Sequence, residues 1–387
     1  METQQFELAS MQCSLSLEEK DEITLKLAII GGFLDVKGGS ERFTLEVAKR
    51  FLNRGVKVKI FCHRYNSDEG YDGFRDAPIE SINARTDLLG RFRAYFFLKN
   101  MRQLVLRADN WGADIIFLQI GCIFSNYLKK LTRKSVISYI HNQEGFGVRN
   151  ENRLRDFYRS VLGLSDERVL GMDEVPIICN SYHTAQLVRH RYSNVNSVFI
   201  VYPGADLDRF RPTWEDRGYL YYHSRYVSSK NQKFAVDIAS HIKYPVILTG
   251  SLDAKLSRHY YDELIANKSS NVTILANVSD DKALSYLQNC SIFLFPSISE
   301  HFGMAMVEAM ACGKPVIGHN SGATPEVVFN GGYLCGDDLN EWVEKINRLM
   351  TDGQLRKELG ERSYELAKRF SWDHTVEALE KVFYSCL

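Results

Sequence analysis

The sequence predicts an α/β chain of two consecutive Rossmann-like domains, each a parallel sheet covered by helices on both faces. Three observations predict it. The chain has 387 residues, which at roughly 150 residues per domain corresponds to about two domains. Apolar runs of strand length alternate with longer amphipathic stretches, the pattern of repeated β-α-β units. That alternation stops near residue 204 and then restarts, across a stretch punctuated by Pro203, Gly204 and Pro212.

Taken in order, residues 1–24 are polar and acidic, with no basic stretch leading into an apolar one. They read as a flexible N-terminal extension and not as a secretory leader. The first domain, 25–203, opens on the strand LKLAIIGG and the helix ERFTLEVAKRFLNRG. It adds strands at VKVKIFC, ADIIFLQI, SVISYIH, VPIICNS and NSVFIVYPG. A linker follows over 204–217. The second domain, 218–370, starts with the strand YLYYHSR and the helix KNQKFAVDIASHI. Its further strands are PVILTGS, NVTILANV, CSIFLFPS and KPVIGHN, with helices between them. Residues 371–387 form a last helix, from about Trp372 to Tyr384, after a break at Phe370–Ser371; a tail of this kind can return to the first domain.

Lys+Arg and Asp+Glu both number 48, so overall charge gives no argument for a nucleic-acid partner. No apolar run reaches the roughly 18 residues a membrane-spanning helix requires. The eight cysteines are scattered, without a CxxC pair. Buried free thiols in a reducing, cytoplasmic setting explain them better than disulfides or a zinc site. One segment points toward a membrane surface: residues 85–107, RTDLLGRFRAYFFLKNMRQLVLR, mix five arginines and a lysine with aromatic residues. A helix of that kind can lie on anionic lipid, which predicts peripheral contact.

Open parallel sheets bind ligands beyond the carboxyl ends of their strands, and the chemistry-bearing residues fall there. In FLFPSISEHFGMAMVEAMACGKPVIGHNSGATPEVV (293–328) a buried strand ends at Pro296 and a short loop presents Glu300. A helix then starts near Phe302, Gly303 and Met304 and stops at Gly313, whose lack of a side chain suits a left-handed cap. Gly303 allows close approach to the first turn, and the free N–H groups and dipole there suit a pyrophosphate. Glu308 lies eight residues beyond Glu300, at most ~12 Å along a helix axis. That is the reach from a sugar, past a diphosphate, to a ribose. Arg225 and Lys230, after the first strand of the second domain, are two cations that can neutralise a diphosphate leaving group. In SGATPEVV, Gly322 makes a turn, Thr324 reads as an N-cap, Pro325 as a first helical residue, and Glu326 as a first-turn partner of its own helix dipole.

In the first domain, Gly38 and Gly39 open a helix and can approach a phosphate from the facing side. No G-x-G-x-x-G is present, so there is no dinucleotide fingerprint. His141 follows the buried strand SVISYI directly, and Asn180–Ser181 precede a helix that one of them caps.

With these residues in view, the chain resembles glycosyltransferase family 4, the retaining group 1 glycosyltransferases of GT-B architecture. The likeness runs over roughly 25–385. It is carried by Glu300…Glu308 in E-x7-E spacing, followed by GKPVI and SGATPE, by Arg225…Lys230, by GGSER (38–42), by His141 and by the Asn180–Ser181 step. The resemblance implies that Glu300 and His141 contact the donor sugar and Glu308 the ribose. It further implies that Arg225 and Lys230 hold the diphosphate with Gly38 and Gly39 opposite, and that the base lies near Val278. Three positions depart from the usual pattern: Ser224 where relatives have glycine, Asn142 where many have aspartate, and Gly322-Ala323 where many have Gly-Gly.

The implied function is transfer of a hexose, mannose or glucose favoured, from a UDP- or GDP-sugar to a glycan or lipid-linked acceptor, with retention and no cofactor. Asp206-Leu207-Asp208 looks like the metal-binding DxD of another glycosyltransferase architecture but sits in the linker, so no catalytic metal is expected. Two alternatives remain open on the same residues: a nucleotide-sugar epimerase, and a non-catalytic nucleotide-sugar-binding subunit.

Overall fold

A computed structural model describes residues 25–84, 93–119, 125–141, 175–191, 195, 197–253 and 257–387. Residues 1–24 and 85–92, Asn142, Cys13 and Cys122 lie outside the described residues. The strands are β1 (Lys26–Ile30), β2 (Lys57–Cys62), β3 (Ile79–Ser81), β4 (Ile115–Leu118), β5 (Ser135–Ile140), β6 (Ile177–Cys179), β7 (Val198–Ile200), β8 (Leu220–His223), β9 (Val246–Gly250), β10 (Val272–Ala276), β11 (Ile292–Phe295), β12 (Val316–His319) and β13 (Gly332–Cys335). The described helices are α1 (Gly39–Asn53), α2 (Arg93–Asn110), α3 (Ser125–Lys129), α4 (Tyr182–Arg191), α5 (Gln232–Ala239), α6 (Arg258–Asn267), α7 (Asp280–Asn289), α8 (Met304–Ala311), α9 (Thr324–Val328), α10 (Leu339–Thr351), α11 (Gly353–Ala367) and α12 (Trp372–Ser385).

The apolar runs become strands covered on both sides: every residue of IIFL in β4 and of IFLF in β11 is buried, as a parallel sheet between helix layers requires. One sheet has the order β3-β2-β1-β4-β5-β6-β7 and the other β10-β9-β8-β11-β12-β13. Each pairing between these strands is parallel. This is the GT-B arrangement of two α/β sheets. The strand order reverses between β1 and β4 in the first sheet and between β8 and β11 in the second, and a crevice forms at the carboxyl ends of such strands.

The sequence pattern does not announce β3 or β13. Both are short edge strands. β3 follows Pro78 directly, and β13 starts at Gly332, where an added Cβ would lie 1.9 Å from the Val316 carbonyl. Neither holds an apolar run long enough to stand out.

The C-terminal helix α12 packs on α1. Trp372, Val376, Leu379 and Phe383 share one buried cluster with Phe43, Val47 and Phe51. Phe51 and Phe383 stack at 5.6 Å, and Arg50–Asp373 (3.0 Å) and Arg54–Glu380 (2.9 Å) fasten the rim. The chain thus passes between its halves twice, and the two passages touch. Ala205 N donates to Phe370 O at 2.7 Å, and a Cβ on Gly204 would lie 2.3 Å from the Trp372 nitrogen.

Helix α2 carries the described part of the basic, aromatic segment. Its Met101, Leu104, Val105 and Ala108 are buried, with Phe97 and Leu98 packed against the same cluster, so this apolar face belongs to the core. Lys99 and Arg102 are exposed, while Arg107 pairs with Glu80 at 2.8 Å. Among the described residues no helix is long and apolar enough to cross a membrane. Cys62, Cys179, Cys290, Cys312 and Cys335 are buried free thiols.

Candidate active site

At the switch point of the second sheet, the ends of β8 and β11 bring Lys230 against Glu300. The Tyr222 hydroxyl donates to Lys230 O (2.6 Å), and Asn231, at φ +54°, donates its side-chain amide to Pro296 O (3.2 Å). These bonds fix the backbone on both sides of the pair. Lys230 Nζ then reaches Glu300 Oε2 at 2.5 Å, and Ser297 Oγ donates to the same oxygen at 2.9 Å. Burial acts most strongly on Glu300 and pushes its carboxyl up, but Lys230 and Ser297 outweigh it and hold the group below its ordinary range. It is therefore a carboxylate at neutral pH. Arg225, two residues past β8, is exposed, with Glu41 of the facing half in its field.

The Glu300 backbone is itself supported. Gly322 is at φ +62°, where an added Cβ would lie 2.4 Å from Glu300 O; Ala323 N donates to that oxygen at 2.8 Å. Ala323 is fully buried at φ −84°. Only the first of the two small residues must be glycine, and the alanine departs from the usual Gly-Gly without strain. Sequence reasoning missed a relay on the same edge: Asp337 Oδ1 to His319 Nε2 (2.9 Å), His319 Nδ1 to Ser321 Oγ (2.8 Å), and Ser299 N donating to Ser321 Oγ (3.1 Å). It steadies Ser299, at φ +56°, next to Glu300.

Helix α8 starts after Gly303 at φ +87°, a conformation that L side chains avoid; a Cβ there would also lie 2.9 Å from the Phe295 ring. Phe302 turns its ring into the core, against Tyr202 (6.0 Å) and Phe370 (5.6 Å). What it can offer a ligand is main chain only. Glu308 sits in α8 beneath the crevice. Burial raises its carboxyl to about 7, while Arg42 of the first half and Arg209 of the linker pull it down and Asp280 and Asp206 push it up. Val278 is half-buried just past β10, beside Ser279, which caps α7 by accepting from Lys282 N.

The first sheet faces this edge with Gly38, Gly39 and His141. Gly38 is the N-cap of α1, and the Tyr71 hydroxyl donates to its carbonyl at 3.3 Å. A Cβ on Gly39 would lie 3.3 Å from Met304 Sδ, so the start of α1 and the start of α8 are one side chain apart. His141 Nε2 meets Gln119 Oε1 at 2.7 Å, which makes Nδ1 the acceptor nitrogen. Burial against Phe43 and Tyr139 lowers its pKa to about 3, so the ring is neutral. Asn180 donates to His141 O (2.7 Å), and Ser181 Oγ caps α4 by accepting from Thr184 N (3.0 Å).

Arg42 and Gln119 were not singled out from the sequence. Arg42 stacks over Tyr71 at 4.9 Å and faces Glu308. Its signal was available, since it is the last residue of GGSER, one turn into α1. One sequence expectation is corrected. Thr324 is the first residue of α9 and not its cap; its Oγ is buried without a partner, because Ala323 occupies the cap position. Glu326 stands in the first turn of α9, and its carboxylate also accepts from Tyr182 N (3.0 Å) and His183 N (3.1 Å) at the start of α4. Asp206 of the linker accepts from Arg209 N at 3.1 Å and shapes a turn.

Comparison with known proteins agrees with this fold. The family model for group 1 glycosyl transferases matches residues 205–366, and that for Glycosyltransferase Family 4 matches 37–209. An uncharacterised glycosyltransferase of Methanocaldococcus jannaschii is 28% identical over 322 residues, covering 81% of this chain and 88% of that protein. An alpha-1,3/1,6-mannosyltransferase of Homo sapiens is 23% identical over 365 residues, covering 84% of this chain and 87% of that protein. Among solved structures, sucrose-phosphate synthase from Thermosynechococcus elongatus superposes with a TM-score of 0.78 at 18% identity, covering 93% of this chain and 98% of that one. Anabaena HepE, in complex with UDP and glucose, does so at 0.74 and 18%, covering 93% and 100%. Both structural likenesses concern the fold.

Proposed function

The chain belongs to the group 1 glycosyltransferases of family 4, and from that premise we propose that it transfers a hexose, with retention, from a UDP- or GDP-sugar to a glycan or lipid-linked acceptor. One observation carries the reading most: Lys230 and an ionised Glu300 stand together at the β8/β11 switch point, with Arg225 exposed on the same loop after β8 and the α8 N-terminus and Glu308 following. Glu300 accepts from sugar hydroxyls and Glu308 from the ribose. Arg225, Lys230 and the N-terminal turn of α8 receive the diphosphate, with Gly38 and Gly39 at the start of α1 opposite.

The bond between C1 and the diphosphate oxygen breaks as the acceptor oxygen bonds to C1 on the same face. The acceptor proton passes to the departing phosphate oxygen. Neutral His141 lends Nδ1 to a sugar hydroxyl. The cationic side chains neutralise the leaving group, so no metal is required in this proposal. Mannose is favoured as the sugar, in line with the mannosyltransferase among the relatives. Lys99 and Arg102 are the described cations through which residues 85–107 would meet an anionic membrane.

The test is product analysis with each UDP- and GDP-sugar over soluble and lipid-linked acceptors. Release of nucleoside diphosphate with an α-linked product is expected. A β-linked product overturns retention, and donor converted without acceptor favours an epimerase. Binding without turnover across the panel favours a non-catalytic subunit.

A further inference from the structure

We propose that Glu326 is an interdomain positioning residue that closes the cleft and sets His141 against the donor site. The N-terminal turn of α4 shows why. Ser181 Oγ takes the Thr184 N–H. The two N–H groups before it, which an isolated helix leaves to water, both donate to Glu326, a residue of the other half. One carboxylate thus places both oxygens on successive amides across the interface; burial raises its pKa to about 7, and the two amides act against that rise.

The contacts around it follow the same seam. Thr184 Oγ1 lies 3.5 Å from His301 O, and the rings of His183 and His301 are 6.3 Å apart. Tyr202 meets Phe302. His301 and Phe302 directly follow Glu300. On the other side, Thr184 Oγ1 donates to Asn180 Oδ1 (2.8 Å), and Asn180 holds the His141 carbonyl. A continuous path runs from Glu326 through the start of α4 and Asn180 to His141. Because α9 also follows the Gly322 turn that braces Glu300, one element fixes both the Glu300 backbone and the opposing histidine.

The role assigned to His141 rests on the transferase reading above; the closure itself does not. The experiment therefore has two readouts on the full chain: small-angle scattering with saturating nucleoside diphosphate, and steady-state kinetics with the active donor. Glu326→Ala is expected to give a larger radius of gyration than wild type. Its kcat should fall about 10- to 100-fold, the scale of an ångström of misplacement, while nucleoside diphosphate affinity changes less than about twofold. Glu326→Gln keeps one acceptor oxygen and should fall between Ala and wild type. Unchanged scattering and kcat in both variants overturn the proposal. So does a parallel loss of kcat, nucleotide affinity and thermal stability, which marks a merely structural residue. If wild type binds nucleotide but transfers nothing, the transferase reading fails, and scattering alone still decides the latch.

Discussion

Glu300 and Glu308 are the same chemical group eight residues apart, and their surroundings drive them in opposite directions. Lys230 holds Glu300 ionised, whereas burial lifts Glu308 to about 7. A carboxyl raised in the folded state binds a proton that the unfolded chain has already lost. Its contribution to stability is therefore complete near pH 4.5 and falls as pH rises through 7. Glu308→Gln removes that dependence, so thermal unfolding between pH 5.5 and pH 8 should slope less steeply in the variant than in wild type. Ribose hydroxyls donate to the ionised form, so donor affinity should rise with pH through 7 in wild type and stay flat in Glu308→Gln, as titration calorimetry would show. The spacing of the two glutamates was legible in the sequence, because it follows from helix rise. Their opposite shifts were not, because burial lifts Glu308 against the pull of Arg42 and Arg209 while Lys230 holds Glu300 down, and all of this is set by other elements.

At the scale of the element, α8 depends on Gly303. Alanine there faces a left-handed φ, costing roughly 1–2 kcal/mol, and a Cβ 2.9 Å from the Phe295 ring. Gly303→Ala should lower stability by at least that amount in denaturant unfolding, and weaken nucleoside diphosphate binding as the first turn shifts. Gly322→Ala should act more sharply on turnover, since its Cβ would press on the Glu300 carbonyl. Elements with long apolar runs could be read in advance. The cap of α9 could not: SGAT offers a threonine where caps are common, yet the Gly322 turn places Ala323 there and buries Thr324. Glu326 likewise looks local in sequence, and its partners lie more than a hundred residues away. No periodicity encodes such a contact.

At the scale of the molecule, the halves are joined by two chain passages that touch at Gly204 and Trp372, and by the seam along α4. Trp372→Ala empties a fully buried site between α1 and α12 and should cost about 3–5 kcal/mol. The loss should be felt chiefly in the first sheet, as slower-exchanging amides of α1 become faster in hydrogen exchange. That α12 returns to α1 could only be allowed for from the sequence, since an amphipathic tail does not name the face it covers. The central claim is that the β8/β11 edge, with Lys230, Glu300 and Glu308, binds a nucleotide sugar. The most direct test is thermal unfolding of the purified protein with UDP- and GDP-sugars and no added metal. A donor at a hundred times its Kd should add about 2.7 kcal/mol, and Lys230→Ala and Glu308→Ala should lose that gain while keeping the fold. The claim is contradicted if no donor stabilises the folded protein, or if both variants are stabilised as much as wild type.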